Sequence, residues 1–167
     1  MPPAITHGDI PLLTSDLPPL QCFSWSEQNF LSLGNHAARI LLIGKVKTLA
    51  LRKDKRSKQP LSIELSYNTS QASDAKNTLK IFSSPEYAIQ DDDLVIREHA
   101  MNQLVFTQIY DAKKRYGDKE NMPLLSEDDI SIGDVVIVET NIRKHEVTQG
   151  SWKAAYDLVR IGIVEKM

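Results

Sequence analysis

The sequence contains one cysteine, Cys22, so it can form neither an internal disulfide nor a zinc site built from several cysteines. A single thiol is typical of proteins from a reducing compartment. Long apolar runs are also missing, since none approaches the roughly 20 residues that a membrane-spanning helix needs. The first residues, MPPAITHGDIPLL, lack the basic start and apolar centre of a signal peptide. We therefore expect an intracellular protein with no membrane partner.

An excess of charge of either sign is absent as well. Lys and Arg together number 20 and Asp and Glu 22, which gives a net charge of −2. This balance argues against a protein whose whole surface coats duplex nucleic acid, so any anion-binding surface must be a local patch. A chain of 167 residues that is 41% hydrophobic and 25% charged is typical of one folded domain.

The usual enzyme motifs are missing too. The chain has no Gly-rich phosphate loop, no HExxH, no cysteine pair and no Gly-x-Ser-x-Gly, and its four histidines are scattered. The acids at 91–93 precede a predicted helix, where they complement the helix dipole without any metal ion. We therefore expect a protein that is not an enzyme, with no catalytic residue, no metal site and no cofactor.

The N-terminal part is rich in proline. Five prolines fall within the first 19 residues, which disfavours both helix and sheet and predicts an extended arm over residues 1–23. The next stretch, SWSEQNFLSLG, has Ser24 or Ser26 as a possible N-cap and Gly34 as a stop. It predicts a short helix over 24–33, the first element of a single domain that covers residues 24–167.

Strands are predicted wherever apolar residues alternate with polar ones. ARILLIGKVKTLAL, from Ala38, predicts a long strand that bends at Gly44, and PLSIELSYN predicts the second. TLKIFSS predicts a short third strand. DVVIVETNIRKHEV and AAYDLVRIGIVEK predict the last two, with Gly162 inside the fifth.

Between the third and fourth strands, residues 91–115 show helical spacing of apolar side chains. Acids begin this stretch, KKR ends it and Gly117 follows, as expected of an amphipathic helix. Val95, Phe106 and Tyr110 lie off its main apolar face. A second apolar face predicts that the helix binds a protein partner.

This order predicts an all-β fold with helical additions. Five strands, a helix between strands 3 and 4 and glycines that bend the first and last strands favour a small Greek-key barrel over residues 38–167. A β-sandwich with one helix and an α+β domain are the rival architectures. The two glycines within strands favour the barrel.

The stretch DISIGDVVIVET resembles the lead into the fourth strand of OB-fold domains of the replication-protein-A and telomere-end-binding type. The chain resembles the OB-fold superfamily over about Ala38 to Met167, although YNTSQASD stands where many OB-folds carry a DDGTG-like turn. The resemblance implies a groove that binds single strands, flanked by the loop between the first two strands and the loop between the last two.

Both of these loops are basic. The first contributes Arg52, Lys53, Lys55, Arg56 and Lys58, offset by Asp54, and the second places Arg143, Lys144 and Lys153 around Trp152. Such cations can hold phosphates, although a solvated hairpin tip has the same composition. On the outer face of the predicted sheet, further candidate residues for nucleic-acid binding are Lys45, Lys47, Lys80 and Phe82, and Tyr67 of the second strand is another candidate.

Phe82, Trp152 and Tyr67 are the candidate side chains for stacking on bases. The alternatives are that Phe82 packs under the N-terminal arm and that Trp152 anchors the core. The sequence thus predicts a protein that binds single-stranded nucleic acid, with DNA favoured over RNA, as part of a nuclear replication, repair or telomere-type complex. The alternative is an adaptor that binds other proteins and has no affinity for nucleic acid.

Overall fold

The computed structural model describes residues 11–99 and 102–167. In these ranges the chain is mostly β and has one α-helix, α1, at Thr69–Phe82. The strands in chain order are β1 Leu12–Leu13, β2 Phe23–Trp25, β3 Leu31–Leu33, β4 His36–Ala37, β5 Arg39–Ala50, β6 Ser62–Ser66, β7 Ile96–Arg97, β8 Ile109–Asp111, β9 Leu124–Leu125, β10 Val135–Thr148 and β11 Ser151–Glu165. Short 3-10 helices lie at Leu20–Cys22, Asp91–Leu94, Lys119–Asn121 and Glu127–Asp129.

The larger sheet has mixed topology. Five of its strands pair in a ring that begins and ends at β5. β5 pairs antiparallel with β6, β6 pairs antiparallel with β7, and β7 pairs parallel with β11. β11 then pairs antiparallel with β10, and β10 pairs antiparallel with β5. β1 joins β5 in parallel, and β8 and β9 extend the sheet from β11. β2, β3 and β4 form a separate three-stranded sheet.

The core lies on one face of these strands, as period-two alternation requires. In β5, for example, Ile40, Leu42 and Val46 are buried, whereas Ile43 and Lys45 are exposed. The same alternation buries Ile63 and Leu65 in β6. Each fully buried aliphatic side chain stabilises the fold by about 1.5–3 kcal/mol before the entropy of ordering is subtracted. The long strands predicted from alternation are therefore confirmed as β5, β6, β10 and β11.

Gly44 lies where β5 changes partner from β10 to β6. A Cβ atom at this position would come 2.8 Å from the carbonyl oxygen of Ser66 and 3.4 Å from the ring of Tyr67. A bulge between Val46 and Thr48 follows at once. The absence of a side chain thus lets β6 approach closely at the bend, in agreement with the predicted role of this glycine.

The short helix predicted over 24–33 is wrong, because this stretch forms the β2–β3 hairpin. Asn29 has a φ of 66°, a left-handed conformation that asparagine tolerates in turns. The N–H of Ser26 donates to the carbonyl of Phe30 at 2.8 Å, and the N–H of Phe30 donates to the Ser26 hydroxyl. The serine read as a helix cap therefore closes a hairpin.

The third strand predicted at TLKIFSS is also wrong, since these residues form the end of α1 and the two that follow it. The helix starts with a capping box in which Asn68 accepts from the N–H of Gln71 while Gln71 accepts from the N–H of Asn68. Its buried residues recur three or four positions apart, at Ala75, Thr78, Leu79 and Phe82. The alternation of two apolar residues was too short to distinguish a strand from this helix.

The long helix predicted over 91–115 is wrong as well. The described part of this stretch contains the 3-10 helix Asp91–Leu94, the strands β7 and β8 and irregular backbone; residues 100 and 101 of the predicted helix lie outside the described residues. The backbone bonds with distant strands instead: the N–H of Glu98 donates to Leu61 and that of Phe106 to Leu51, both at 2.8 Å. The single α-helix of the described residues thus lies between β6 and β7. The sequence had predicted it one connection later, between the third and fourth strands.

Residues 11–23, the described part of the predicted N-terminal arm, contain β1 and the 3-10 helix Leu20–Cys22. No α-helix in the described ranges has the length and apolar character needed to span a bilayer.

Candidate functional site

A pocket of about 380 Å³ lies on the outer face of β7 and the neighbouring part of β11. We call it the groove. Its walls come from the end of the 51–61 loop at Pro60, from residues 92–99, and from β10 and β11 at His145, Lys153 and Asp157. Its floor is continuous because Arg97 of β7 pairs with Asp157 of β11. The groove is therefore bounded by the end of the 51–61 loop on one side and by the neighbouring strands β10 and β11 on the other.

The basic side chains of the groove are partly neutralised. Arg97 binds both carboxylate oxygens of Asp92 at 3.2 Å, and Lys153 contacts buried Asp93 at 3.3 Å. Burial lowers the pKa of His145, and nearby Arg143 and Lys153 lower it further by repelling the protonated form. His145 therefore favours its neutral form.

Two carboxylates also line the groove. Burial raises the pKa of Glu98, and Lys53 opposes this rise by attracting the charged form. Burial likewise raises the pKa of Asp157, while the positive charge of Arg143 and a hydrogen bond from the backbone of His99 lower it. The groove is thus a site of mixed charge, not the uniformly basic surface expected from the sequence.

The 51–61 loop, which reaches the groove at Pro60 and which we call the rim, is strongly basic. Lys55, Arg56 and Lys58 are exposed, and none of them has an ion pair or side-chain hydrogen bond among the described residues. Asp54 does not neutralise them by direct pairing, because its Oδ1 accepts from the backbone N–H of Arg56 and Ser57 and so forms the turn. These three cations remain available to an anionic ligand.

The first two basic residues of that loop, Arg52 and Lys53, already have partners within the protein. Arg52 forms an ion pair with Glu127, and the ammonium of Lys53 donates to the carbonyl of Gln59 at 3.1 Å. The backbone of both residues also pairs with the segment around Leu104 and Val105. They hold the loop in place.

Two of the predicted cations of the second loop, Arg143 and Lys144, contact aromatic rings of the β2–β3 hairpin and of β11. The Arg143 guanidinium lies 3.9 Å from the ring centroid of Phe30. The ammonium of Lys144 lies 4.2 Å from the ring centroid of Trp152 and 5.8 Å from that of Trp25. Such cation–π contacts stabilise the fold and reduce the charge that a ligand meets.

Phe82 does not lie on an outer sheet face, which corrects the prediction. It is 9% exposed and packs edge-to-face on Phe23, with ring centroids 5.1 Å apart. The alternative, packing under the N-terminal segment, is confirmed. Trp152 is half-buried, and its indole N–H donates to the carbonyl of Phe82 at 2.9 Å. Its backbone N–H and C=O bond with Ser84, so Trp152 anchors β11 to the end of α1.

The remaining predicted residues are spread over the molecule. Lys45 and Lys47 are exposed on β5, and Lys47 pairs with Glu64 at 3.6 Å. Tyr67 packs against the core, and its buried hydroxyl has no hydrogen-bond partner among the described residues. Burial raises its pKa far above the ordinary value. Lys80 is exposed on α1, away from the face on which it was predicted.

The three residues of the predicted partner-binding face, Val95, Phe106 and Tyr110, do not form one exposed surface. Phe106 and Tyr110 are buried, with 2% and 6% of their surface exposed, because the segment that carries them packs into the sheet. Val95 is half-buried and lines the groove. Sequence reasoning missed the groove residues Arg97, Glu98, His99, His145 and Asp157. The available signal was the charged run REH, which follows an apolar pair. The helix predicted over 91–115 included this run.

Comparison of the chain with protein-family models, with curated proteins and with solved structures finds no match to any of them.

Proposed function

We propose that this protein binds single-stranded nucleic acid in the groove, and that the strands β5, β6, β7, β11 and β10 form an OB-fold barrel. The ring of pairings and the bends at Gly44 and the following bulge support such a barrel. The position of α1 after the second strand of the ring is a departure from the expected order. OB-folds bind oligonucleotides on the face of their second and third strands. The groove of this protein lies on the third of the five strands, β7, and extends onto the fifth, β11.

The observation that carries the proposal is the position of the unpaired cations. Lys55, Arg56 and Lys58 are exposed on the loop that reaches the groove at Pro60, and the groove itself is open and mixed in charge. Phosphates are held by such exposed, flexible cations, and each phosphate contact releases counterions from the strand. The chemistry at this rim therefore suits a polyanion.

The aromatic side chains have a different role from the one expected. Because Phe82 is buried and Trp152 is bonded to the end of α1, we assign neither to base stacking. Phosphate contacts then supply most of the affinity, which makes binding strongly dependent on salt. We retain DNA as the favoured strand and include RNA in the test.

The test is fluorescence anisotropy with labelled single-stranded DNA and RNA at several salt concentrations. The variant is the triple replacement of Lys55, Arg56 and Lys58 by Ala. Its matched control replaces Lys113, Lys114 and Arg115 by Ala, which removes the same charge from an exposed segment outside the groove. We expect the rim variant to bind at least about tenfold more weakly at low salt, with a salt slope smaller by about 2.

The control variant should bind nearly as the native protein does. Absence of binding by the native protein at low salt would disprove the proposal. Equal losses in the two triple variants would show that net charge, and not the rim, determines affinity. We propose no adaptor function, because Phe106 and Tyr110, on which that alternative was based, are buried.

A further inference from the structure

Two carboxylates of the groove have no part in holding phosphates. Glu98 is 7% exposed and the side chain of Asp157 is 12% exposed, and both line the pocket. Folding has already removed most of the water from these groups. A desolvated carboxylate gains from each further donor that it can bind, so a ligand that supplies N–H donors gains affinity there.

The donors around these carboxylates are few. The backbone of His99 favours the charged form of Asp157 and lowers its pKa. Its nearest cation is Arg143, whose Nε lies 3.8 Å from Oδ2, too far for a hydrogen bond, and this Nε has no partner among the described residues. With its amide oriented so that the nitrogen faces Glu98, Gln103 donates to the two carboxylate oxygens at 2.9 and 3.3 Å. Since an ionised carboxylate can accept about four bonds, both groups keep unused acceptor capacity.

The same charges determine how a strand can lie in the groove. Phosphates are repelled by Glu98 and Asp157 and attracted by the unpaired Lys55, Arg56 and Lys58 of the rim. Arg97 and Lys153 of the groove attract them less, because Asp92 and Asp93 already pair with these cations. The backbone of a bound strand therefore follows the rim, and its bases point toward the floor formed by β7 and β11. The floor then meets base edges, which is the geometry required for direct readout.

We infer that Glu98 and Asp157 select bases that carry an exocyclic amino group, such as cytosine and adenine, over thymine and uracil. This inference rests on the proposed function. An amino group donates to a carboxylate, as in the known pairing of Asp or Glu with the N4 amino group of cytosine. Thymine and uracil instead present two carbonyl oxygens beside a single N–H, and these oxygens are repelled by a carboxylate.

The test compares labelled oligo(dC), oligo(dA) and oligo(dT) of equal length by anisotropy at neutral pH. We expect the native protein to bind oligo(dC) and oligo(dA) at least about fivefold more tightly than oligo(dT). The variants Glu98→Gln and Asp157→Asn should bring this ratio toward one, because an amide can donate to the thymine carbonyls. The control variants Glu120→Gln and Asp128→Asn change exposed acids outside the groove and should keep the native ratio.

A second measurement needs no variant protein. An oligo(dC) whose N4 atoms carry two methyl groups has lost both N–H donors, and we expect the native protein to bind it as weakly as oligo(dT). Equal native affinities for the three homopolymers, or full retention of the preference with the methylated oligomer, would overturn the inference and leave the proposed function intact. Failure of every oligomer to bind at low salt would overturn the proposed function itself.

Discussion

At the scale of single residues, Asp134 shows why the GD pair of the sequence is followed by a strand. Its side chain is 1% exposed and accepts from the ammonium of Lys166 at 2.6 Å and from the backbone N–H of Ser131 and Met167. Gly133, with a φ of 95°, forms the turn before it. The GD pair that suggested the resemblance therefore has a structural role: it fixes the start of β10 against the end of β11.

We predict that Asp134→Asn destabilises the protein by about 1–3 kcal/mol at neutral pH, because Asp134 makes charge-assisted hydrogen bonds. Burial alone would raise the pKa of Asp134, but the bonds from Lys166, Met167 and Ser131 outweigh it and lower the pKa below the ordinary 3.8. The stabilisation is therefore present above pH 3.8 and is lost as the pH falls through the lower folded-state value.

The measurement is urea unfolding of both proteins across a pH series. The difference between native protein and variant should shrink at acidic pH, since the native carboxyl group is then neutral as well. Asp128→Asn, at an exposed acid, serves as the control. A difference that stays constant down to acidic pH would show that packing, and not the charge, explains the loss.

At the scale of elements, α1 depends on both its cap and one tertiary bond. The capping box of Asn68 and Gln71 satisfies N–H groups that the first turn leaves without partners. In the middle of the helix, the carbonyl of Ala75 accepts from the hydroxyl of buried Tyr156 on β11 at 2.8 Å. The helix is thus started by local chemistry and positioned by the sheet.

We predict that Asn68→Ala costs about 1 kcal/mol of stability, since one reciprocal cap is lost. The matched control is Asn77→Ala, which replaces an exposed asparagine in the interior of the same helix. There alanine has the higher helix propensity, so the control should be neutral or slightly stabilising. Chemical unfolding followed by circular dichroism measures both, and equal effects would argue against a role of the cap.

At the scale of the whole molecule, residues 102–111 hold the basic loop to the sheet. The N–H of Phe106 donates to the carbonyl of Leu51, and the N–H of Lys53 donates to that of Leu104, each at 2.8 Å. The ring of Phe106 belongs to the main core cluster. One side of the groove therefore depends on residues 102–108, which lie outside the named strands and helices and are kept in place by these hydrogen bonds and by the buried ring of Phe106.

We predict that Phe106→Ala lowers the free energy of unfolding by about 3–5 kcal/mol through the cavity it leaves. Ile132→Ala, at an exposed apolar residue, should change it by less than about 0.5 kcal/mol. Denaturant unfolding measures both. A different outcome is that Phe106→Ala leaves stability unchanged and alters the mass of the assembly measured by light scattering. That outcome would show that Phe106 belongs to a partner-binding surface, as the sequence had predicted.

Part of the fold could be predicted because its cause is local in sequence. In β5, β6, β10 and β11 one face is buried, so apolar and polar residues alternate over many positions. The bend at Gly44 was predictable for a similar reason. In the candidate site, this reasoning identified Lys55, Arg56 and Lys58 as loop residues. It failed for Phe82, because a strand of two apolar alternations and the last turn of a helix have similar patterns.

The sequence by itself determined the long strands, the basic loop and the near-neutral charge, since alternation and composition act through neighbours along the chain. Only the tertiary structure decided that residues 91–115 are not a helix. Their backbone hydrogen bonds go to distant residues such as Leu51 and Leu61, and burial against the sheet outweighs helical spacing. For the same reason Glu98 and Asp157, distant in sequence, become neighbours in one groove: strand pairing, and not sequence spacing, brings charged groups together.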